Sequence, residues 1–273
     1  IGAGGLGSPT IMYLVAAGVG KIGIVDFDRV DVTNLQRQII HTESDIGKNK
    51  AQSAKVKARA LNSNIEVETY EFQLNESNAL DIFQNYDLII DCTDNFATRY
   101  LVNDAAAFLG KPYIWGSIYR FDGQASVFWS KEGPCYRCLN PTPPPAGSVP
   151  SCAEGGVLGV LCGTIGSIQT NEAIKLITGI GSSLLGSLLI YDALEGSYSR
   201  VEIKKNPNCP ICNGSQKTLL GDYEEFCGIT DTVTAEQLKN RNDYYLIDVR
   251  EPEEHEALAI PGSVLIPKGK FED

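Results

Sequence analysis

The chain has 273 residues, of which 34 are acidic and 23 basic, so its net charge is −11. With 43% hydrophobic and 21% charged residues it has the balance of a soluble globular protein rather than a disordered one. An acidic chain without a basic arm argues against nucleic-acid binding, and the longest apolar stretches, 11–19 and 157–161, are too short to cross a bilayer.

Ile1-Gly2-Ala3-Gly4-Gly5-Leu6-Gly7 reads as the end of a strand entering a turn, so the chain is read as a fragment without its first strand and N-terminal segment. Residues 8–18 are apolar and helix-compatible, with Pro9 tolerated in a first turn. Residues 21–28 read as a buried strand ending in two carboxylates. A basic helix is expected over 48–61, a strand over 65–70 and a short helix over 77–83. Residues 87–94 form an apolar strand with acids at its end, followed by a helix over 97–109 and strands over 112–116 and 124–129. The proline-rich stretch 141–150 is a loop, 163–179 returns to helix, and 188–192 and 200–205 read as strands. This alternation predicts an α/β fold, a Rossmann-like doubly wound parallel sheet over residues 1–217. An acidic linker is expected over 218–231. A second unit, 232–273, restarts with a helix at 235–240 and a strand at 244–248, and stops well short of an ordinary domain.

Gly2-x-Gly4-x-x-Gly7 between a strand and a helix is a dinucleotide-type phosphate turn. Glycine lets backbone approach a phosphate, and the helix N-terminus offers free N–H donors. Asp26 and Asp28 stand where a carboxylate takes a ribose hydroxyl. The same turn also serves as a plain strand–helix corner, and it does not separate a redox cofactor from a nucleotide substrate. Arg37 and Lys50, with Asp94 and Asn95 at another strand end, favour a triphosphate with magnesium: cations offset oxygen charge and a carboxylate holds the metal. A NAD-dependent oxidoreductase with a structural zinc, or a scaffold without chemistry, is the alternative left open.

Four of the eight cysteines form two Cys-x-x-Cys pairs, Cys135/Cys138 and Cys209/Cys212. They supply the four soft ligands of a closed tetrahedral zinc site, and their separation means that the metal staples distant segments. Such clustering fits a cytosolic metal site better than a secreted disulfide framework. Cys92 and Cys162 read as small buried residues. His41 and His255 show no partnering pattern and read as packing or surface residues.

Taken together, Gly2 to Ser8, Asp26-Phe27-Asp28, Asn34-Leu35-Gln36-Arg37-Gln38, Gly47-Lys48-x-Lys50 and Asp91-Cys92-Thr93-Asp94-Asn95 resemble the MoeB/ThiF family. These are ubiquitin-activating-like adenylyltransferases acting on sulfur-carrier proteins. Leu246-Ile247-Asp248-Val249-Arg250-Glu251-Pro252 and Ile260-Pro261-Gly262-Ser263 resemble the opening of a rhodanese domain. The pairing is similar to MoeZ-type, two-domain members of the family. The resemblance implies ATP-dependent adenylation of the C-terminal glycine of a small ubiquitin-fold carrier (MoaD/ThiS-like), then sulfur transfer to a thiocarboxylate. It serves molybdopterin, thiamine or a related thiolation pathway. By motif, Gly5 contacts phosphate and Asp26 the ribose. Asn34, Leu35, Gln36, Arg37 and Lys50 hold the triphosphate, and Asp94 and Asn95 the magnesium end. Cys135, Cys138, Cys209 and Cys212 hold structural zinc. Cys152 is the thiol that attacks the carrier adenylate or takes part in sulfur transfer. A cytoplasmic homodimer, fed by a sulfur donor such as a cysteine desulfurase, is the further implication.

Overall fold

In the computed structural model, which describes residues 1–145, 156–227, 245–250, 252–257, 259 and 261–267, helix and strand alternate from the first turn onward. The first elements are α1 (Gly7–Ala16), β1 (Lys21–Val25), α2 (Lys50–Leu61), β2 (Glu66–Tyr70), α3 (Ala79–Phe83), β3 (Ile89–Asp91) and α4 (Phe96–Phe108). Next come β4 (Tyr113–Tyr119), β5 (Asp122–Phe128), a one-turn α5 (Tyr136–Leu139), the long α6 (Gly159–Thr178), β6 (Ser187–Asp192), β7 (Ser197–Glu202) and a one-turn α7 (Tyr223–Phe226). The expected strands 21–28 and 87–94 are shorter than their apolar runs. Both stop where their carboxylates begin, because Asp26 and Asp91 are spent on turning the chain.

The doubly wound, helix-on-both-faces arrangement is present, but the sheet is parallel only in part. β1 pairs with β2 and β3 with β4 in parallel, whereas β4, β5, β6 and β7 run antiparallel in that order. Arg120 and Phe121 alone join β4 to β5, and a two-residue connection can only join antiparallel neighbours. Arg120 accordingly takes a positive φ of 51°. Ile1 and Gly2 link the two ladders. The Ile1 amino group donates to the Ile90 carbonyl at 2.7 Å, Cys92 N–H to the Ile1 carbonyl at 2.8 Å, and Gly2 N–H to the Val25 carbonyl at 2.8 Å.

Strand alternation divides the interior between two cores. Ile114 and Val127 face α1, α2 and α6, packing with Val15, Ala54, Leu161 and Ile165. Tyr113, Trp115 and Phe128 face the other way, onto α3, α4 and Tyr136. β7 is exposed along its whole length and closes the sheet as an edge strand carrying Arg200 and Glu202, charges that discourage further pairing. The stretch expected as a linker begins otherwise: Leu219, Leu220, Tyr223, Phe226 and Cys227 pack into the second core. No helix among the described residues is long and apolar enough to cross a membrane.

The chain divides into two compact units, Ile1–Ile229 and Thr230–Asp273. Within the second unit, β8 (Ile247–Asp248) and β9 (Val264–Leu265) pair in parallel, with α8 (Pro252–Ala257) between them in sequence. Asp248 anchors this piece. It accepts from Arg250 Nε at 2.9 Å and Nη2 at 2.6 Å, and lies 2.9 Å from His255 Nδ1. The Arg250 and His255 hydrogen bonds hold its carboxyl well below the usual range. His255 therefore has a specific partner, contrary to its sequence reading. The expected helix at 235–240 lies outside the described residues.

Candidate nucleotide site and four-cysteine centre

The glycine turn is shaped by close approach. A Cβ on Gly5 would sit 2.5 Å from Cys162 Sγ, and one on Gly7 would run into the Gly2 carbonyl, so neither position admits a side chain. Gly2 itself has φ +90°. The turn delivers the chain into α1, whose N-terminus has neither a side-chain cap nor an acidic residue in its first turn. Ser8 N–H is given to the Gly4 carbonyl at 2.9 Å and Pro9 has none, so what this end of the helix offers an anion is chiefly its positive dipole.

A half-buried side chain, Asp26, and a buried one, His41, fix the turn from below. Asp26 accepts from Ala3 N–H at 2.8 Å through Oδ2 and from Asp28 N–H at 2.9 Å through Oδ1. Burial raises its pKa, and these two donors oppose the rise. His41 is 4% exposed and bridges Ala3 and Ser53, with ring nitrogen distances of 2.9 Å to each. The Ala3 carbonyl can only accept, so Nε2 carries the proton and Nδ1 accepts from the Ser53 hydroxyl. Burial pushes the His41 pKa down and keeps the ring neutral. His41 is a packing residue as expected, but one that holds the glycine turn. Its partner lies 38 residues away, out of reach of motif spacing.

Around the turn opens a cavity of about 550 Å³, lined by Gly2, Gly4, Gly5, Asp26, Asp28, Arg37, Lys50, Asp94 and Asn95 among others. That is within the size of small-molecule sites. Lys50 is 7% exposed, and its ammonium lies 3.0 Å from Asp28 Oδ2. Arg37 donates from Nη1 to the Thr33 carbonyl at 3.3 Å and has no carboxylate partner among the described residues. Opposite, the loop after β3 is set by Asp91, which is wholly buried. Asp91 accepts from Thr93 N–H at 2.9 Å, Thr93 Oγ1 at 2.6 Å and Tyr113 OH at 2.7 Å. These bonds leave Asp94 exposed at the cavity edge, free to bind a hard cation.

Some sequence-assigned residues do other work. Asn95 accepts Thr98 N–H at 2.8 Å and so caps α4, although it also lines the cavity. Asn34, Leu35 and Gln36 lie outside the cavity lining. Asn34 accepts the Asp31 N–H at 3.3 Å, closing the 3₁₀ turn Val32–Asn34 from which Arg37 projects. Cys152 lies outside the described residues. Cys92 is half-buried, and its thiol is pushed up to about 11, chiefly by desolvation.

Cys135, Cys138, Cys209 and Cys212 converge, with all four sulfurs within 4.8 Å of one another. The Cys135–Cys209, Cys138–Cys212 and Cys135–Cys138 separations are 3.6, 3.5 and 4.0 Å. A tetrahedral zinc with bonds of about 2.3 Å spaces its sulfurs by roughly 3.8 Å, so the cluster fits that metal. Asn206 N–H donates to Cys138 Sγ at 3.3 Å, support of the kind that metal thiolates receive.

With this geometry in place, comparison with known proteins is informative. The ThiF family profile matches residues 1–211. The chain is 56% identical to the "Probable adenylyltransferase/sulfurtransferase MoeZ" of Mycobacterium tuberculosis, over 98% of this chain and 72% of that protein. It is 53% identical to the "Sulfur carrier protein adenylyltransferase" of Thermus thermophilus, over 84% of this chain and 87% of that one. Among solved structures, E. coli MccB with ATP superposes with a TM-score of 0.69 at 21% identity, covering 78% of this chain and 65% of that one, a likeness of fold.

Proposed function

This chain belongs to the ThiF family, and from that premise we propose that it is an ATP-dependent adenylyltransferase. It activates the C-terminal glycine of a small ubiquitin-fold sulfur carrier and takes part in turning that terminus into a thiocarboxylate. The observation that carries this reading is the meeting of the glycine turn, Asp26, Arg37, Lys50 and Asp94 around one cavity.

In this reading the α1 N-terminus and Gly5 receive phosphate oxygens and Asp26 takes the ribose through lone pairs not used by Ala3 and Asp28. Arg37 and Lys50 neutralise the triphosphate, with Lys50 exchanging its partner Asp28 for phosphate oxygen. Asp94 would hold magnesium, which would supply charge compensation at the α-phosphate. A carboxylate oxygen of the carrier terminus attacks the α-phosphorus, the bond to the bridging oxygen breaks and pyrophosphate leaves. The protein's task is to position the groups and offset charge. Cys152 is assigned the following step. Its thiolate attacks the adenylate carbonyl and AMP departs with the C–O electron pair. The four cysteines would hold a zinc with a structural role. Residues 1–217 form the adenylation domain and 232–273 a rhodanese-type unit. A homodimer, a cytoplasmic setting and a persulfide-bearing donor protein complete the proposal.

The test is ATP–pyrophosphate exchange with radiolabelled pyrophosphate and a carrier ending in Gly-Gly. Carrier-dependent exchange is expected. Absence of exchange together with spectral detection of bound NAD would favour the oxidoreductase reading instead.

A further inference from the structure

After the second cysteine pair, residues 219–227 run across the first unit, and they are held there at several points. Tyr223 is 4% exposed and donates its hydroxyl hydrogen to Asp104 Oδ2 at 2.9 Å. The same carboxylate receives Arg137 Nε at 2.8 Å and Nη2 at 2.7 Å. The Arg137 guanidinium, between two cysteines of the metal cluster in sequence, lies 4.6 Å from the Phe226 ring centre and 4.8 Å from that of Tyr100. Farther out, Gln73 Nε2 donates to Glu224 Oε1 at 3.3 Å.

Held this way, Gly221, Asp222, Tyr223 and Glu224 form part of the lining of the nucleotide cavity, as do residues 72–76. Residues 72–76 follow β2, whose terminal Tyr70 carbonyl accepts the Asp26 N–H at 3.1 Å. Residues 72–76 therefore continue from the strand end beside Asp26, to which the ribose is assigned, and the Gln73–Glu224 hydrogen bond joins residues 221–224 to them. A composition rich in Asp and Glu is what made this segment read as a solvated linker. Its apolar residues, at 219, 220, 223, 226 and 227, instead pack into the α3/α4 core.

We propose that residues 219–227 are a docked strap forming the nucleoside-side wall of the cavity, and that Tyr223, held by the Asp104–Arg137 pair, is the positioning residue that fixes it. The proposal rests on the nucleotide reading of the cavity. Tyr223 acts through the strap backbone. Removing its hydroxyl loosens the wall while leaving the Asp104–Arg137 ion pair intact, so ligand affinity changes where the fold does not.

The experiment compares wild type and Tyr223→Phe as the full chain, with calorimetric titration of ATP, AMP and pyrophosphate. ATP and AMP are expected to weaken roughly three- to tenfold, the scale of one hydrogen bond, while pyrophosphate binding is unchanged. In exchange kinetics the KM for ATP rises more than kcat falls. Phe226→Leu, which removes the ring facing Arg137, should give the same pattern. In wild type, hydrogen exchange of residues 219–227 should slow on saturation with ATP, a readout that needs no variant. ATP affinity within twofold of wild type in both variants, equal weakening of pyrophosphate, or no ATP-dependent protection would each overturn the strap. Failure of wild type to bind ATP at all would bring down the nucleotide reading, and the strap with it.

Discussion

Replacing Asp104 by asparagine keeps the side chain's shape but removes the charge that Arg137 faces. Both groups are out of water: Asp104 is 0% exposed and Arg137 is 4% exposed. Asp104 Oδ1 also accepts from Asn103 Nδ2 at 2.9 Å, so the carboxylate has a full set of donors. A guanidinium left in this position without its counter-charge is a stranded buried cation, and breaking such a pair from one side costs about 3–5 kcal/mol. At roughly 2–4 °C per kcal/mol for a domain of this size, Asp104→Asn should lower the melting temperature by about 6–20 °C in differential scanning calorimetry. The double variant Asp104→Leu with Arg137→Met removes both charges and should recover a large part of that loss. A fall of less than about 2 °C in the single variant, or no recovery in the double one, would refute the reasoning.

Other predictions test the remaining parts. Cys138→Ser or Cys212→Ser should lose bound zinc, measured by mass spectrometry of metal content, and melt earlier; retention of one zinc per chain in both would sink the four-cysteine assignment. Asp94→Ala should reduce magnesium-dependent exchange by about 100-fold or more while leaving the melting temperature almost unchanged, because the side chain is exposed in the loop after β3. His41 offers a pH test. Burial lowers its folded pKa below the unfolded value near 6.5, so the unfolded state takes up the proton first as pH falls. Stability is therefore present above about pH 6.5 and declines below it, and urea midpoints at pH 8 and 5.5 should drop more in wild type than in His41→Gln. An equal drop in both would remove His41 from the account.

What the sequence made legible was local. The glycine turn, the two Cys-x-x-Cys pairs and the helices at 8–18, 48–61 and 97–109 are each specified within a few residues, and all appear within one or two positions of where their patterns place them. Strand direction was not legible, because an apolar run such as residues 112–116 reads the same in a parallel or antiparallel neighbourhood. Only the two-residue turn at Arg120 reveals the reversal. Polar residues near a motif carry a local structural role beside the ligand role expected of them. Asn34 and Asn95 have the short amide side chains that suit a phosphate site and equally suit a cap, and the backbone donors beside them were nearer. Asp91 and His41 hold the site together through partners far apart in sequence, Tyr113 and Ala3, a kind of relation that spacing does not encode.

The thiols of Cys92 and Cys227, one half-buried and one buried, bear on chemical selectivity. Desolvation pushes both up to about 11, which disfavours the thiolate form of either at neutral pH. Thiolate is the form that attacks adenylates, persulfides and alkylating reagents. A protein whose proposed work is to pass an activated sulfur from one partner to another has to keep that sulfur from its own spare cysteines. Cys92, beside the glycine turn, and Cys227, at the end of the strap, are held in the protonated form by their surroundings. Cys92 lines the cavity itself, Cys227 packs into the neighbouring core, and the raised pKa of each disfavours its competing for the sulfur.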